Sequence, residues 1–388
     1  MSPGREAPGS AATRRYPTED RGRKLVLRGP LERDRDRVLH ARSFRRLSGK
    51  AFLFPADNAW QARTALAVTL EVASAARVIA RHLGLDEDLV EVVALAHDLG
   101  RPPFGAAGER ALDAVLRARG VEGGFSTRVQ TLRVVDLLEV RYEHPGLNLT
   151  DRAREALCKL DGAPAAPPPG IDPAGLGAGS PPPRESLAVA AARRAVATLS
   201  ALEDALAAGF VPLAAVLRLP EPAALAERLK SSGGWPRGVF RQRAALHRAL
   251  AHAVHSDILL ASRRRAGAIG PGPRVAPLLA RLDELVATRV GSSQAGRRFE
   301  AQAERTVATL FERYEDDPRL LDDSVLLRYK ELTGRAYLRD LPRAAQEREI
   351  ASHFRGRAEF ARLLADHIAG MTDRHAAQLL ETVTAGSC

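Results

Sequence analysis

Apolar residues recur along most of this chain at intervals of three and four, with strict alternation almost nowhere, and that period predicts helices. Between 63 and 83, Leu66, Leu70, Val72, Ala76, Ile79 and Leu83 fall close to a 3.6-residue repeat, and Gly84 ends the helix. Asp86 is placed to cap the next helix, over 87–99, which stops at Gly100 because Pro102 and Pro103 cannot continue it. The same reading predicts helices over 34–47, 108–119, 128–138, 151–160, 186–208, 223–231, 240–263, 273–290, 301–315, 344–354 and 358–369. Strand-like runs are few and short, so the expected class is all-α.

Two stretches interrupt the pattern. Residues 1–23 mix Pro, Gly, Ser and charge with no apolar period, which predicts a disordered basic arm. Residues 162–184 are dense in Pro, Gly and Ala and can hold neither helix nor strand, which predicts a long surface loop. The expected organisation is one helical domain over 24–388, interrupted by that loop and ending in a C-terminal helical extension.

Composition changes this picture little. At 388 residues and 45% hydrophobic the chain can bury a large core, and Cys158 and Cys388 supply neither a disulfide framework nor a thiol zinc site, as expected in a reducing cytoplasm. Arg, Asp or Glu interrupts every apolar helix, so no membrane partner is expected. Lys and Arg number 58 against 47 Asp and Glu, a formal charge of +11 that favours polyanions such as nucleotides or nucleic acid. An Arg-rich composition from a GC-biased genome explains the same excess, so charge alone selects no partner.

The chemistry concentrates at His97-Asp98, on the last turn of an apolar helix and facing a loop. A neutral imidazole and a carboxylate suit a divalent transition metal, but a hydrolytic site needs three or four protein ligands and an open position for water.

Blocks at His40–Lys50 (HARSFRRLSGK), Arg63–Val72 (RTALAVTLEV), the His97-Asp98 segment, Gly123-Gly124-Phe125, Pro145–Thr150 (PGLNLT) and Ile368–Ala376 (IAGMTDRHA) occur in order. In these blocks the chain resembles the bacterial deoxyguanosine triphosphate triphosphohydrolase-like family of the HD superfamily. The resemblance implies the all-α HD fold and a metal held by a His, the His-Asp pair and a later Asp. His97 and Asp98 match the pair. The first His position reads Val68, and the later Asp is expected within Ser186–Gly209, where the chain reads AARRAV over Ala191–Val196, with Arg193 and Arg194, and no acid occurs between Glu185 and Glu203.

Of the proton-transfer groups the resemblance implies, the two histidines flanking the Pro-Pro-Phe-Gly turn read Arg101 and Ala106, and the Glu survives as Glu109. Glu109 has a second expected role, capping a helix that starts near Gly108. A His-Asn pair reads Thr127-Arg128, and a sugar-contacting Gln reads Phe52. The basic residues near the implied nucleotide site are Arg45, Arg46, Lys50 and Arg63, which with Arg101, Arg128, Arg193 and Arg194 form the expected phosphate-binding set, accompanied by Gln130 and Arg133.

The leading expectation is a degenerate member of the family, with no cofactor, that binds a dNTP or polyphosphate through arginines. The alternatives are an active dNTP triphosphohydrolase (dNTP + H₂O → deoxynucleoside + triphosphate) using Mn, Mg or Zn, and a nucleic-acid-binding module. A homo-oligomer is compatible with each.

Overall fold

Helices dominate the computed structural model, which describes residues 13–16, 28–54, 62–160, 162, 170–177, 179–265 and 267–385. Among them the regular elements are seventeen α-helices, with short 3₁₀ and π turns and two isolated β-bridges but no strand. The first group is α1 (Pro30–Leu39), α2 (Arg42–Arg46), α3 (Ala65–Leu83), α4 (Glu87–Ala96), α5 (Gly105–Ala118), α6 (Thr127–Arg133), α7 (Asp151–Cys158) and α8 (Arg184–Ala207). Next come α9 (Leu213–Val216), α10 (Pro220–Ser231), α11 (Val239–Arg264) and α12 (Val275–Ser292). The last are α13 (Gln294–Asp316), α14 (Asp323–Thr333), α15 (Arg343–Glu349), α16 (Ala358–Ala369) and α17 (Asp373–Ala385).

The caps read from the sequence are in place. Asp86 accepts from the amides of Asp88 and Leu89, and Gly84 closes α3 in the left-handed conformation at φ 65°. Helix α4 is buried on nearly every side, with Val90, Val92, Val93, Ala94 and Ala96 wholly inaccessible between α1, α3 and α8. Such a helix is held by apolar burial, not by propensity.

Apolar side chains form two cores. The larger joins α1 to α4, α6 to α9, α11 and α12; the smaller joins α5 to the C-terminal helices α13, α14, α16 and α17. Helix α5 therefore leaves the core of its sequence neighbours and packs where the C-terminal helices can cover it, so that extension is an integral layer.

Several boundaries differ from the expected ones. The helix expected over 34–47 breaks at His40-Ala41, because the Glu139 carboxylate accepts from the amides of Arg42 and Ser43 and starts α2 afresh. The helix expected from Gly108 starts at Gly105, and the one over 128–138 becomes α6 followed by a π-helical turn at Val134–Leu138. Helices α9, α14 and α17 were not expected. Of these, α17 lays Leu379, Leu380 and Val383 at helical spacing against the smaller core.

Four residues of the expected N-terminal arm are docked. Arg14 is 6% exposed, pairs with buried Asp34 at 2.5 Å and donates to the carbonyl of Asn148. The rest of 1–12 and 17–23 lies outside the described residues. Within the expected loop over 162–184, the described part is stitched to α7: Arg154 donates to the carbonyls of Asp172 and Ala174, and Lys159 to those of Gly177 and Ser180.

The loop after α4 meets α6 at Gly100. A Cβ there would stand 2.2 Å from the Thr131 amide nitrogen and 2.4 Å from the Gln130 carbonyl carbon, both backbone. Gly100→Ala is expected to cost about 3 kcal/mol by overpacking, seen as a lower urea midpoint at unchanged slope; an unaltered midpoint would show that α6 can move aside freely.

Candidate functional site

The His97-Asp98 turn, the start of α5, the Ser126–Thr131 segment, the end of α7 and the middle of α8 enclose a cavity of about 380 Å³. It lies at the seam of the two cores, with Leu157 and Leu160 forming its apolar wall. The polar lining consists of His97, Asp98, Arg101, Glu109, Ser126, Thr127, Arg128, Thr131 and Arg193.

Local backbone bonds fix the pair. Thr131 Oγ1 accepts from the Gly100 amide and donates to the His97 carbonyl, so α6 sets the turn that follows α4. The His97 ring places Nδ1 2.7 Å from the Ala94 carbonyl. A carbonyl only accepts, so Nδ1 carries the hydrogen and Nε2 keeps its lone pair, 3.9 Å from Asp98 Oδ1. Burial pushes the imidazole below its ordinary pKa and keeps it neutral. Burial alone would raise Asp98, but the charges of Arg101 and Arg193 outweigh it and hold the carboxyl below its ordinary value.

The remaining polar groups differ in how far they are already engaged. Arg101 donates to Asp98 Oδ2 at 3.1 Å and to the carbonyls of Ala51 and Phe52, so it is a strut between two loops. Glu109 accepts from the amide and the hydroxyl of Thr127, each at 2.8 Å. It therefore caps the start of α6, not the start of its own helix as expected, because α5 begins a turn earlier. Arg193 is close enough to His97 and Asp98 to disfavour protonation of both. Arg128 is half-buried and has no hydrogen bond or ion pair among the described residues.

Other expected site residues lie elsewhere. Arg194 points off the opposite flank of α8 to Asp283 on α12, at 2.9 Å, so of the Arg193-Arg194 pair the cavity receives Arg193. Arg63 is held by Glu71, Glu203 and Asp204. Arg45 and Arg46 are exposed, and Arg46 reaches the Gly370 carbonyl. Gln130 and Arg133 are engaged by Arg362 and Asp366. Val68 is 4% exposed in the larger core and is not among the cavity's lining residues.

Lys50 is buried away from the cavity lining and donates to the carbonyls of Arg101 and Ala369. Beside it, Asp373 accepts from the amides of Ala51 and Phe104. The second of these bonds holds Phe104 in the left-handed region at φ 61°, where a non-glycine residue is strained. Sequence reasoning gave Asp373 no role. Its place in the IAGMTDRHA block was the available signal, but both its amide partners lie more than 260 positions away.

The donor set does not fit a metal. His97 and Asp98 are the two ligand types present, Arg193 and Arg101 bring positive charge to the same two side chains, and Asp98 is already paired. Among the described residues no three His, Cys, Asp or Glu side chains gather as a metal site. A dication placed there would meet guanidinium repulsion and two missing ligands.

Residues 69–150 match the HD domain. A curated relative from Nitrobacter hamburgensis, a deoxyguanosinetriphosphate triphosphohydrolase-like protein, is 34% identical over 398 aligned positions covering 93% of each chain. Relatives of the same description from Rhodopseudomonas palustris and Thiobacillus denitrificans are 52% and 53% identical over 168 and 133 residues. Those two alignments cover 42% and 34% of this chain, and the chain spans 41% and 35% of those relatives' length. No described helix is long and apolar enough to cross a membrane.

Burial and the nearby Arg46 charge lower the Lys50 pKa from 10.5 to about 7. Between those values the unfolded chain binds a proton that the folded chain does not, so stability rises as pH climbs from about 7 through about 10.5. The full rise is on the order of 5 kcal/mol. Urea midpoints measured across that window should climb less steeply in Lys50→Met than in the unsubstituted protein; parallel slopes would mean that Lys50 stays charged.

Proposed function

The chain belongs to the deoxyguanosinetriphosphate triphosphohydrolase-like family, and from that premise we propose that it binds a phosphate-rich anion of the nucleotide class without a metal and without hydrolysing it. The observation that carries this reading is the arginine content of the cavity. Arg101, Arg128 and Arg193 line it against the carboxylates of Asp98 and Glu109.

A guanidinium is permanently charged and presents paired N–H donors that match phosphate oxygens, so it can replace a dication in binding. Arg128 supplies unengaged donors, and Ser126, whose side chain makes no cap bond, lines the same cavity. Arg101 and Arg193 contribute charge from the side of the His-Asp pair. The 380 Å³ volume suits a small ligand of nucleotide size.

Hydrolysis is a different demand. Water attack needs a base, and the groups at hand are poor ones: burial lowers the basicity of the free His97 Nε2, and both carboxylates are engaged. Asp98 is paired with Arg101 and held below its ordinary pKa, while Glu109 has both oxygens occupied by Thr127. Losing a positioned general base costs about 10² to 10⁴ in rate, and the histidines that the family resemblance implies are replaced by Arg101, Ala106 and Thr127 together.

Purified protein is expected to carry substoichiometric Mn, Mg, Zn or Fe and to release no triphosphate from dGTP. In metal-free, low-salt buffer dGTP should raise the melting temperature, by about 2–3 kcal/mol of stabilisation at about 100 times Kd. Arg128→Ala should reduce the rise and Arg194→Ala should leave it intact. Near-stoichiometric metal with Asp98-dependent dGTP turnover would replace this reading with the enzyme one, and absence of any shift at millimolar nucleotide would remove the ligand.

A further inference from the structure

A second depression, of about 560 Å³, forms where the C-terminal ends of α3 and α11 meet the first residue of α8. Arg184, Arg263 and Arg265 line it with His82 and Ser262, and no carboxylate is among the lining residues. The nearest acid in sequence, Glu185, is turned away and accepts from the Asp86 amide at the head of α4.

A purely structural role accounts for part of this cluster. Arg263 sits in the last turn of α11, where a cation offsets the negative end of the helix dipole, and Arg265 donates to the Pro271 carbonyl at 3.3 Å. Arg184 has no such role. It is the first residue of the 24-residue helix α8, where a cation adds to the positive end of the dipole instead of offsetting it. Arg184 and Arg263 are both exposed and have no ion pair or hydrogen bond among the described residues. Ser262 is 4% exposed; its Oγ accepts from the Gly270 amide and retains its own hydrogen to donate.

Unpaired guanidinium groups sharing one concavity repel each other, and a multivalent anion removes that cost. The volume exceeds what one phosphate fills. We infer that the depression bounded by Arg184, Arg263, Arg265 and Ser262 is a second binding site for a triphosphate-bearing small anion. It is distinct from the His97-Asp98 cavity, with which it shares no lining residue, because Arg184 precedes Arg193 by nine residues on the same helix, about 13 Å along its axis. It does not depend on the cavity binding anything.

The test is calorimetric titration of the full chain with inorganic triphosphate in low-salt, metal-free buffer, repeated with dGTP. Arg184→Ala/Arg263→Ala should remove one binding event, raising its Kd about tenfold or more, while Arg128→Ala keeps that event. Both substituted residues are exposed, so the melting temperature without ligand should be unchanged, and Arg184→Lys/Arg263→Lys should retain most of the affinity. Added salt should weaken the event, as expected for a charge-driven contact. A titration unaltered by the double alanine variant overturns the site. So does an Arg184-dependent event seen with oligothymidylate and not with triphosphate, since that marks a nucleic-acid surface. Loss on Arg128→Ala alone would instead confine binding to the cavity.

Discussion

The contact between Gly100 and the backbone of Gln130 and Thr131 decides where every group in the cavity can stand. No side chain fits between the two segments, so the turn after α4 and the start of α6 are held at backbone distance. Thr131 then joins them with one hydroxyl that both accepts and donates. His97 and Asp98 are carried on one side of this contact, Arg128 on the other, and Glu109 fastens the near end of α6 from α5. Because α5 belongs to the smaller core and α6 to the larger, the cavity is defined by how the two cores meet.

Much of the architecture was legible in the sequence because it is written locally. The 3.6-residue period, Gly84 and Asp86 gave α3 and α4 their limits, and the placement of His97-Asp98 at a helix end followed from Pro102 and Pro103. What the sequence hid is long-range. The break between α1 and α2 is imposed by Glu139, the left-handed Phe104 is held by Asp373, and Arg63 is claimed by Glu71, Glu203 and Asp204. Nothing within a helical turn of His40, Phe104 or Arg63 announces those partners. The register of α8 was likewise open by a residue, and it was packing that sent Arg193 toward Asp98 and Arg194 toward Asp283.

The arginines show why counting a residue type does not describe a site. Arg101 braces two loops, Arg63 neutralises three acids, Arg133 locks onto Asp366, and the donors of Arg128 are left unengaged by the described residues. A guanidinium that already has carboxylate or carbonyl partners contributes little beyond long-range potential to a new anion, whereas an unengaged one brings its full hydrogen-bonding capacity. Pairing with the 47 acids still leaves the +11 formal charge, and unengaged arginines such as Arg128 carry part of it.

The docking of Arg14 also bears on the order in which the chain is made. Its side chain pairs with Asp34, 20 positions on, yet it also needs the Asn148 carbonyl 134 positions later, and the other oxygen of Asp34 waits for Thr150. During synthesis from the N-terminus both charges must stay hydrated until the head of α7 has left the ribosome. The first helices can form on the way, but their layer cannot seal, since closing it early would strand a carboxylate in an apolar interior. Sealing of this edge is thus gated by a segment made 116 positions after Asp34, and a chain halted before residue 148 would remain open here.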